Sequence, residues 1–286
     1  MSDRVEIFEV GPRDGLQNEA SLIATSDKIR LVDLLSECGF SRIEVTSFVS
    51  PKWVPQMADA AEVLAGITRS PGVSYAALTP NIKGYDRARA ANADEIAIFG
   101  SASEGFSQKN INCSIAESLD RFRPIAEAAR HRDIPVRGYV SCVTDCPYDG
   151  PTDPADVARV AEALFAMGCY EISLGDTIGA GRPDSVANML SAVTDMVPVH
   201  RLAGHFHDTG DFALGNIDTA YQHGIRVFDT AIGGLGGCPY APGAKGNVAT
   251  EIVVAHMASL GIETGIDTVA LDAARDFALK IRGADA

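Results

Sequence analysis

Short apolar runs alternate with stretches of helical periodicity from one end of the chain to the other. Residues 5–10 (VEIFEV) read as a strand. Residues 27–37 carry Ile29, Leu31, Val32, Leu34 and Leu35 at helical spacing, and Gly39 follows as a stop. The pattern then repeats. Further strands are expected over 43–46, 73–78, 95–99, 136–141, 171–174, 202–207 and 227–231. Further helices are expected over 58–64, 82–91, 114–130, 154–167, 183–196, 212–223, 248–260 and 268–281. Ser114 with Glu117 three residues on makes a capping box, and Pro154 suits the first turn of its helix.

Eight βα units in succession, with strands short enough to be buried on both faces, close most simply into a (β/α)8 TIM barrel with a short C-terminal helical extension. A single catalytic domain spanning residues 1–286 is expected. The rival is a doubly wound open sheet, which wants G-x-G-x-x-G after its first strand; Gly11-Pro12-Arg13-Asp14-Gly15 stands there and does not fit. A barrel places its chemistry on the C-terminal rim, just after each strand. Special residues collect there: Arg13 and Asp14 after the first strand, Glu44 in the second, Asp176 after the sixth, His205 and His207 on the seventh, Cys238 after the eighth.

Composition narrows the partners. The 286 residues include 24 Lys and Arg against 38 Asp and Glu, a net charge of −14. That argues against nucleic acid or an anionic membrane, because both need a basic face. It leaves room for a small anionic substrate held by local cations. The first ten residues, MSDRVEIFEV, have neither a basic nor an apolar targeting region, and no apolar run approaches a membrane span. The 6 cysteines are scattered and read as free thiols in a reducing, cytoplasmic compartment.

Gly204-His205-Phe206-His207-Asp208 is the most specific local signal. Alternate strand residues share a face, so His205 and His207 project together. A bare H-x-H is as readily one core and one surface histidine. At a barrel rim, with Asp14 two strands away round the ring, the pair suits a divalent metal. Asp208 reads better as the cap of the next helix. Asn247 is close enough to add an amide oxygen. Zinc would want a tetrahedral Cys/His set; carboxylate, imidazole and amide together suit Mg²⁺ or Mn²⁺. Arg13 could stabilise an enolate or clamp a carboxylate, and Glu44 could equally be its buried ion-pair partner. Gly233, Gly234, Gly236 and Gly237 lead into Cys238, so an acid/base or nucleophilic thiol could reach the barrel mouth. Cys142 and Cys146 are too few for a metal site and read as packing. Lys109 and Asn110, in a polar loop after the fourth strand, could contact a phosphate.

The segments at 11–19 (GPRDGLQNE), 46–57 (TSFVSPKWVPQM), 109–114 (KNINCS), 173–179 (SLGDTIG) and 237–250 closely resemble the 3-hydroxy-3-methylglutaryl-CoA lyase family of TIM-barrel metallolyases. The likeness runs from about residue 5 to about residue 265. It implies a carbon–carbon lyase that cleaves 3-hydroxy-3-methylglutaryl-CoA to acetyl-CoA and acetoacetate, as in leucine degradation and ketone-body formation. It implies Asp14, His205, His207 and Asn247 as ligands of Mg²⁺ or Mn²⁺, Arg13 as the substrate and enolate contact, and Cys238 as the catalytic thiol. Glu44 and Asp176 match positions that support catalysis; Lys109 and Asn110 match a segment touching the CoA moiety. A homodimer or higher homo-oligomer is implied too. The sequence departs from the pattern at Gly210-Asp211-Phe212, where many members have Tyr-Gly-Gln. No cysteine follows Cys238, so redox control through a C-terminal thiol is not expected. The base that takes the substrate's proton could be His205 or Asp176. The residues also leave open a sibling metallolyase or aldolase acting on another 3-hydroxyacyl-CoA or a 4-hydroxy-2-oxo acid. A non-catalytic barrel is disfavoured, since mere binding needs no metal and thiol at one rim.

Overall fold

The computed structural model describes residues 3–236 and 246–283. Its eight barrel strands are β1 (Glu6–Glu9), β2 (Arg42–Ser47), β3 (Ser74–Leu78), β4 (Glu95–Ser101), β5 (Val136–Ser141), β6 (Glu171–Asp176), β7 (Leu202–Phe206) and β8 (Val227–Thr230). All run parallel, each beside its sequence neighbour, and β8 pairs with β1 to close the ring. The expected (β/α)8 barrel is the fold.

Local chemistry explains the elements. Helix Thr25–Ser36 buries Lys28, Leu31, Val32 and Leu35, a one-face spacing that presses it onto the sheet. Ser114 and Glu117 form the expected capping box of helix Ile115–Arg130. Pro154 opens helix Pro154–Met167, and Gly168 ends it at φ 106°, a left-handed cap that a β-carbon would strain. Helix Thr268–Arg282 is the C-terminal extension and packs against Thr25–Ser36.

One helix stands where a polar loop was expected. Glu104–Ile111 is capped by Ser103, whose hydroxyl accepts from the Phe106 N–H. That hydroxyl in turn donates to Asp149 at 2.7 Å, and Asp149 also accepts from the Gly105 N–H at 2.8 Å. Lys109 and Asn110 therefore sit on the last turn of a helix.

The two faces of the barrel wall differ. Outward residues such as Ile7, Ile43, Ile98, Val140 and Ile172 form the apolar layer against the helices. The interior is filled with charge. At the bottom Arg42 pairs with Glu6 and Glu171, and the Tyr170 hydroxyl donates to Glu95. One layer higher, Arg137 pairs with Glu171 at 2.7 Å and with Asp229 at 2.7 Å. Pairs this deep add little net stability, because desolvation offsets their attraction, but they hold each member in one place. Among the described residues, no helix is long and apolar enough to cross a membrane.

Candidate active site

The C-terminal rim begins with the turn Gly11–Gly15. It is π-helical: the N–H groups of Arg13, Asp14 and Gly15 all donate to the Val10 carbonyl. Such turns are rare and aim consecutive side chains unusually. Here Arg13 and Asp14 both turn into the barrel mouth. Arg13 Nε donates to Glu44 at 2.6 Å and Nη1 donates to Asp14 at 2.5 Å. Burial works against the Arg13 charge, but Asp14 and Glu44 outweigh it and the guanidinium stays ionised. Glu44 is thus the ion-pair partner of Arg13.

Asp14, His205 and His207 each offer a ligand atom, all within 4.8 Å of one another. The two imidazoles project from one face of β7, with ring centroids 5.3 Å apart. Asp14's other carboxylate oxygen accepts from Asn247 Nδ2 at 2.8 Å. Burial pushes the Asp14 pKa up, but Arg13 and then the histidines hold it at about 2. It is a carboxylate at any working pH. His207 is driven down to about 4, chiefly by burial and then by His205. It is therefore neutral, with the lone pair a metal needs, and its Nδ1 is buried without a partner. A neutral imidazole grouped with a carboxylate and a second imidazole fits a divalent cation. Gly236 lets the chain pass this close. At φ +87° it has no side chain, and a β-carbon there would lie 2.9 Å from Asn247 Nδ2.

Two strands behind the rim supply residues that the sequence reading missed. Asp229 on β8 is held from three sides: Arg137 by a fork of 2.7 and 3.0 Å, Ser173 Oγ at 2.7 Å, and His205 Nδ1 at 3.3 Å. Burial favours the neutral acid, but Arg137 and His205 hold Asp229 far below the usual carboxylate range. Burial likewise opposes a charged His205, and the Asp229 hydrogen bond overcomes it and raises the pKa. A carboxylate on Nδ1 fixes the ring's tautomer and frees Nε2 for the site. Tyr139, two residues along β5 from Arg137, lines the same mouth. Charged or hydroxylated residues at alternate positions of otherwise apolar strands, as in VRGYVS and VFDT, were the available signal.

Asp176 does not join the cluster. On β6 Gly175 faces the mouth, with its β-position 3.9 Å from His205, so Asp176 lies on the opposite side. It accepts from Thr144 Oγ1 at 3.0 Å and from the Gly181 N–H at 3.0 Å. Its place is as an anchor of neighbouring loops. Cys238 lies outside the described residues. Cys142 and Cys146 are buried free thiols, and Cys146 Sγ lies 2.9 Å from the Ser103 hydroxyl.

The mouth opens into a cavity of about 810 Å³. Arg13, Asp14, His205 and His207 line its floor, and Trp53, Lys109, Asn110 and Arg121 line its walls. Reactive groups at the bottom and cations with an exposed aromatic at the lip suit a long, anionic substrate.

A family model described as HMGL-like matches residues 4–278. The 3-hydroxy-3-isohexenylglutaryl-CoA/hydroxy-methylglutaryl-CoA lyase of Pseudomonas aeruginosa is 59% identical over 268 residues, 94% of this chain and 89% of that one. The solved HMG-CoA lyase of Brucella melitensis superposes with TM-score 0.98 at 58% identity, covering 99% of this chain and 100% of that one. An HMG-CoA lyase from Acinetobacter baumannii, solved with coenzyme A and 3-methylmalate, has TM-score 0.94 at 40% identity, covering 99% and 92%.

Proposed function

The chain belongs to the HMGL-like family, and we propose from that premise that it cleaves 3-hydroxy-3-methylglutaryl-CoA to acetyl-CoA and acetoacetate. The observation that carries the reading is the meeting of Asp14, His205 and His207 within 4.8 Å beside a buried, ionised Arg13. Asp14, His205, His207 and Asn247 are the residues that would hold a divalent metal, Mg²⁺ or Mn²⁺ by the mixed oxygen and nitrogen donors. When bound, such an ion supplies Lewis-acid polarisation of the substrate's oxygens.

The residues then divide the work. Arg13 orients the thioester end, with Glu44 and Asp14 fixing its guanidinium. The C3 hydroxyl loses its proton to a base beside the metal site; Asp229 behind His205 holds that ring with Nε2 toward the site. Asp176 accepts from Thr144 and from the Gly181 N–H on the far side of its strand. The C2–C3 bond breaks, its electrons pass into the thioester enolate, and C3 becomes the ketone of acetoacetate. Arg13 stabilises the enolate oxygen. Cys238, as the protonated thiol, delivers a proton to C2 and completes acetyl-CoA. Lys109 and Asn110, at the lip, are assigned to the CoA moiety.

A coupled assay for acetyl-CoA tests the reading directly. Turnover should vanish with EDTA and return with Mg²⁺ or Mn²⁺; activity indifferent to chelation would refute the metal's role. Cys238→Ser should keep the metal and lose about 10²–10⁴ in turnover. His207→Ala should lose metal affinity first. One second reading has support. The Pseudomonas relative's name includes a substrate with an isohexenyl group, and a cavity of about 810 Å³ has room for more than a methyl. Comparing kcat/KM for the two thioesters separates them. A cytoplasmic, homo-oligomeric enzyme belongs to the same proposal and is checked by fractionation and light scattering.

A further inference from the structure

The hydroxyl of Tyr139 is buried without any hydrogen-bond partner. Its residue is 8% exposed and lines the cavity that holds Arg13, Asp14 and the histidines. Buried hydroxyls are almost always paired, so an orphan here asks for a ligand. The ring cannot turn the group elsewhere. The guanidinium of Arg137 lies 4.9 Å from the ring centroid, that of Arg13 lies 5.6 Å away, and His205 meets the ring edge-on at 6.5 Å. Arg137 is itself pinned by Glu171 and Asp229. The phenol is thus held in place, and its unpaired hydroxyl is available as a donor. Arg13 has the matching incompleteness. Nε is spent on Glu44 and Nη1 on Asp14, which leaves Nη2 unclaimed among the described residues.

We propose that Tyr139 is a catalytic residue whose hydroxyl, together with Arg13, donates a hydrogen bond to the thioester oxygen as it becomes the enolate oxygen. The proposal rests on the lyase reading above. No proton is transferred: the hydroxyl keeps its hydrogen while the C2–C3 electron pair moves onto the thioester, and release of acetyl-CoA returns the group to its orphan state. A donor already fixed in the ground state, with no competing acceptor, stabilises the developing charge without reorganisation. The same orphan is a cost to the fold, because a buried hydroxyl without a partner is desolvated for no return.

Tyr139→Phe removes the hydroxyl alone. In the full-length, metal-loaded enzyme kcat should fall roughly 100-fold or more, the typical loss of one such donor. KM should move less than about threefold, since the interaction strengthens only as charge develops. Exchange of the acetyl-CoA methyl protons with D₂O, followed by NMR, forms the same enolate without cleavage and should slow by a similar factor. Mn²⁺ affinity should be unchanged, and the melting temperature equal or higher. If wild type cleaves the substrate and Tyr139→Phe matches it within about twofold, the assignment is overturned while the activity stands. A variant that raises KM or loses Mn²⁺ with exchange intact also overturns it. If wild type forms no acetyl-CoA, the lyase reading falls first and this inference with it.

Discussion

His205 shows how a single side chain's role depends on what stands behind it. The imidazole is legible in the sequence as one of a pair on a strand; Asp229 is not. It lies in the short strand Val227–Thr230, where one acidic residue looks like a solvent-facing break. The parallel register of β8 on β7 puts Asp229 opposite His205. Asp229→Asn keeps the shape but lets the amide present either atom to Nδ1. Metal affinity should drop about 10- to 100-fold, the usual effect of losing such a support, measurable by Mn²⁺ titration. Unchanged affinity would mean that the tautomer is set elsewhere. Asp229→Ala should instead destabilise the fold, by up to about 3–5 kcal/mol, because it leaves Arg137 buried with Glu171 as its one remaining carboxylate. Asp176 marks the limit in the other direction. Reading its strand as ending at residue 174 hid the parity that turns Gly175 inward and Asp176 away.

Among elements, those with self-contained signals were readable: helix Ile115–Arg130 from its capping box, the strands from short apolar runs. Helix Glu104–Ile111 was not, because Asp149, remote in sequence, completes its cap. The rim turn is likewise completed at a distance. Glu9, wholly buried, accepts from the Gly11 N–H at 2.8 Å, the Ile232 N–H at 2.9 Å and the Thr250 hydroxyl at 2.6 Å. It ties the turn carrying Arg13 and Asp14 to the segment after β8. Burial, against those hydrogen bonds, raises its pKa from 4.5 to about 7. Between these values the native state holds a proton that the unfolded chain has lost. Its contribution is therefore full below pH 4.5 and lost as pH rises through about 7, an effect of about 3 kcal/mol at most. Against Glu9→Gln, wild type should lose stability over that window, read as melting temperature against pH. Parallel profiles would contradict the buried, proton-holding state of Glu9.

For the molecule as a whole, the barrel does two jobs with its two faces. An apolar outer layer holds the helices, and an inner column of ion pairs leads up from Arg42 and Glu171 through Arg137 and Asp229 to His205. The βα period made the architecture legible. The inner column was not, since which strand residues point inward follows from register around a closed ring. A net charge of −14 spread over the chain, against cations gathered at the cavity lip, fits a small acidic ligand better than a polymer. The central claim is that side chains from β7 and the first rim turn share one cation. Crystals grown with Mn²⁺ and measured at its absorption edge test that most directly. An anomalous peak in coordinating contact with Asp14, His205 and His207 is the predicted result; a map with no peak there, or with Mn²⁺ bound only elsewhere, would contradict it.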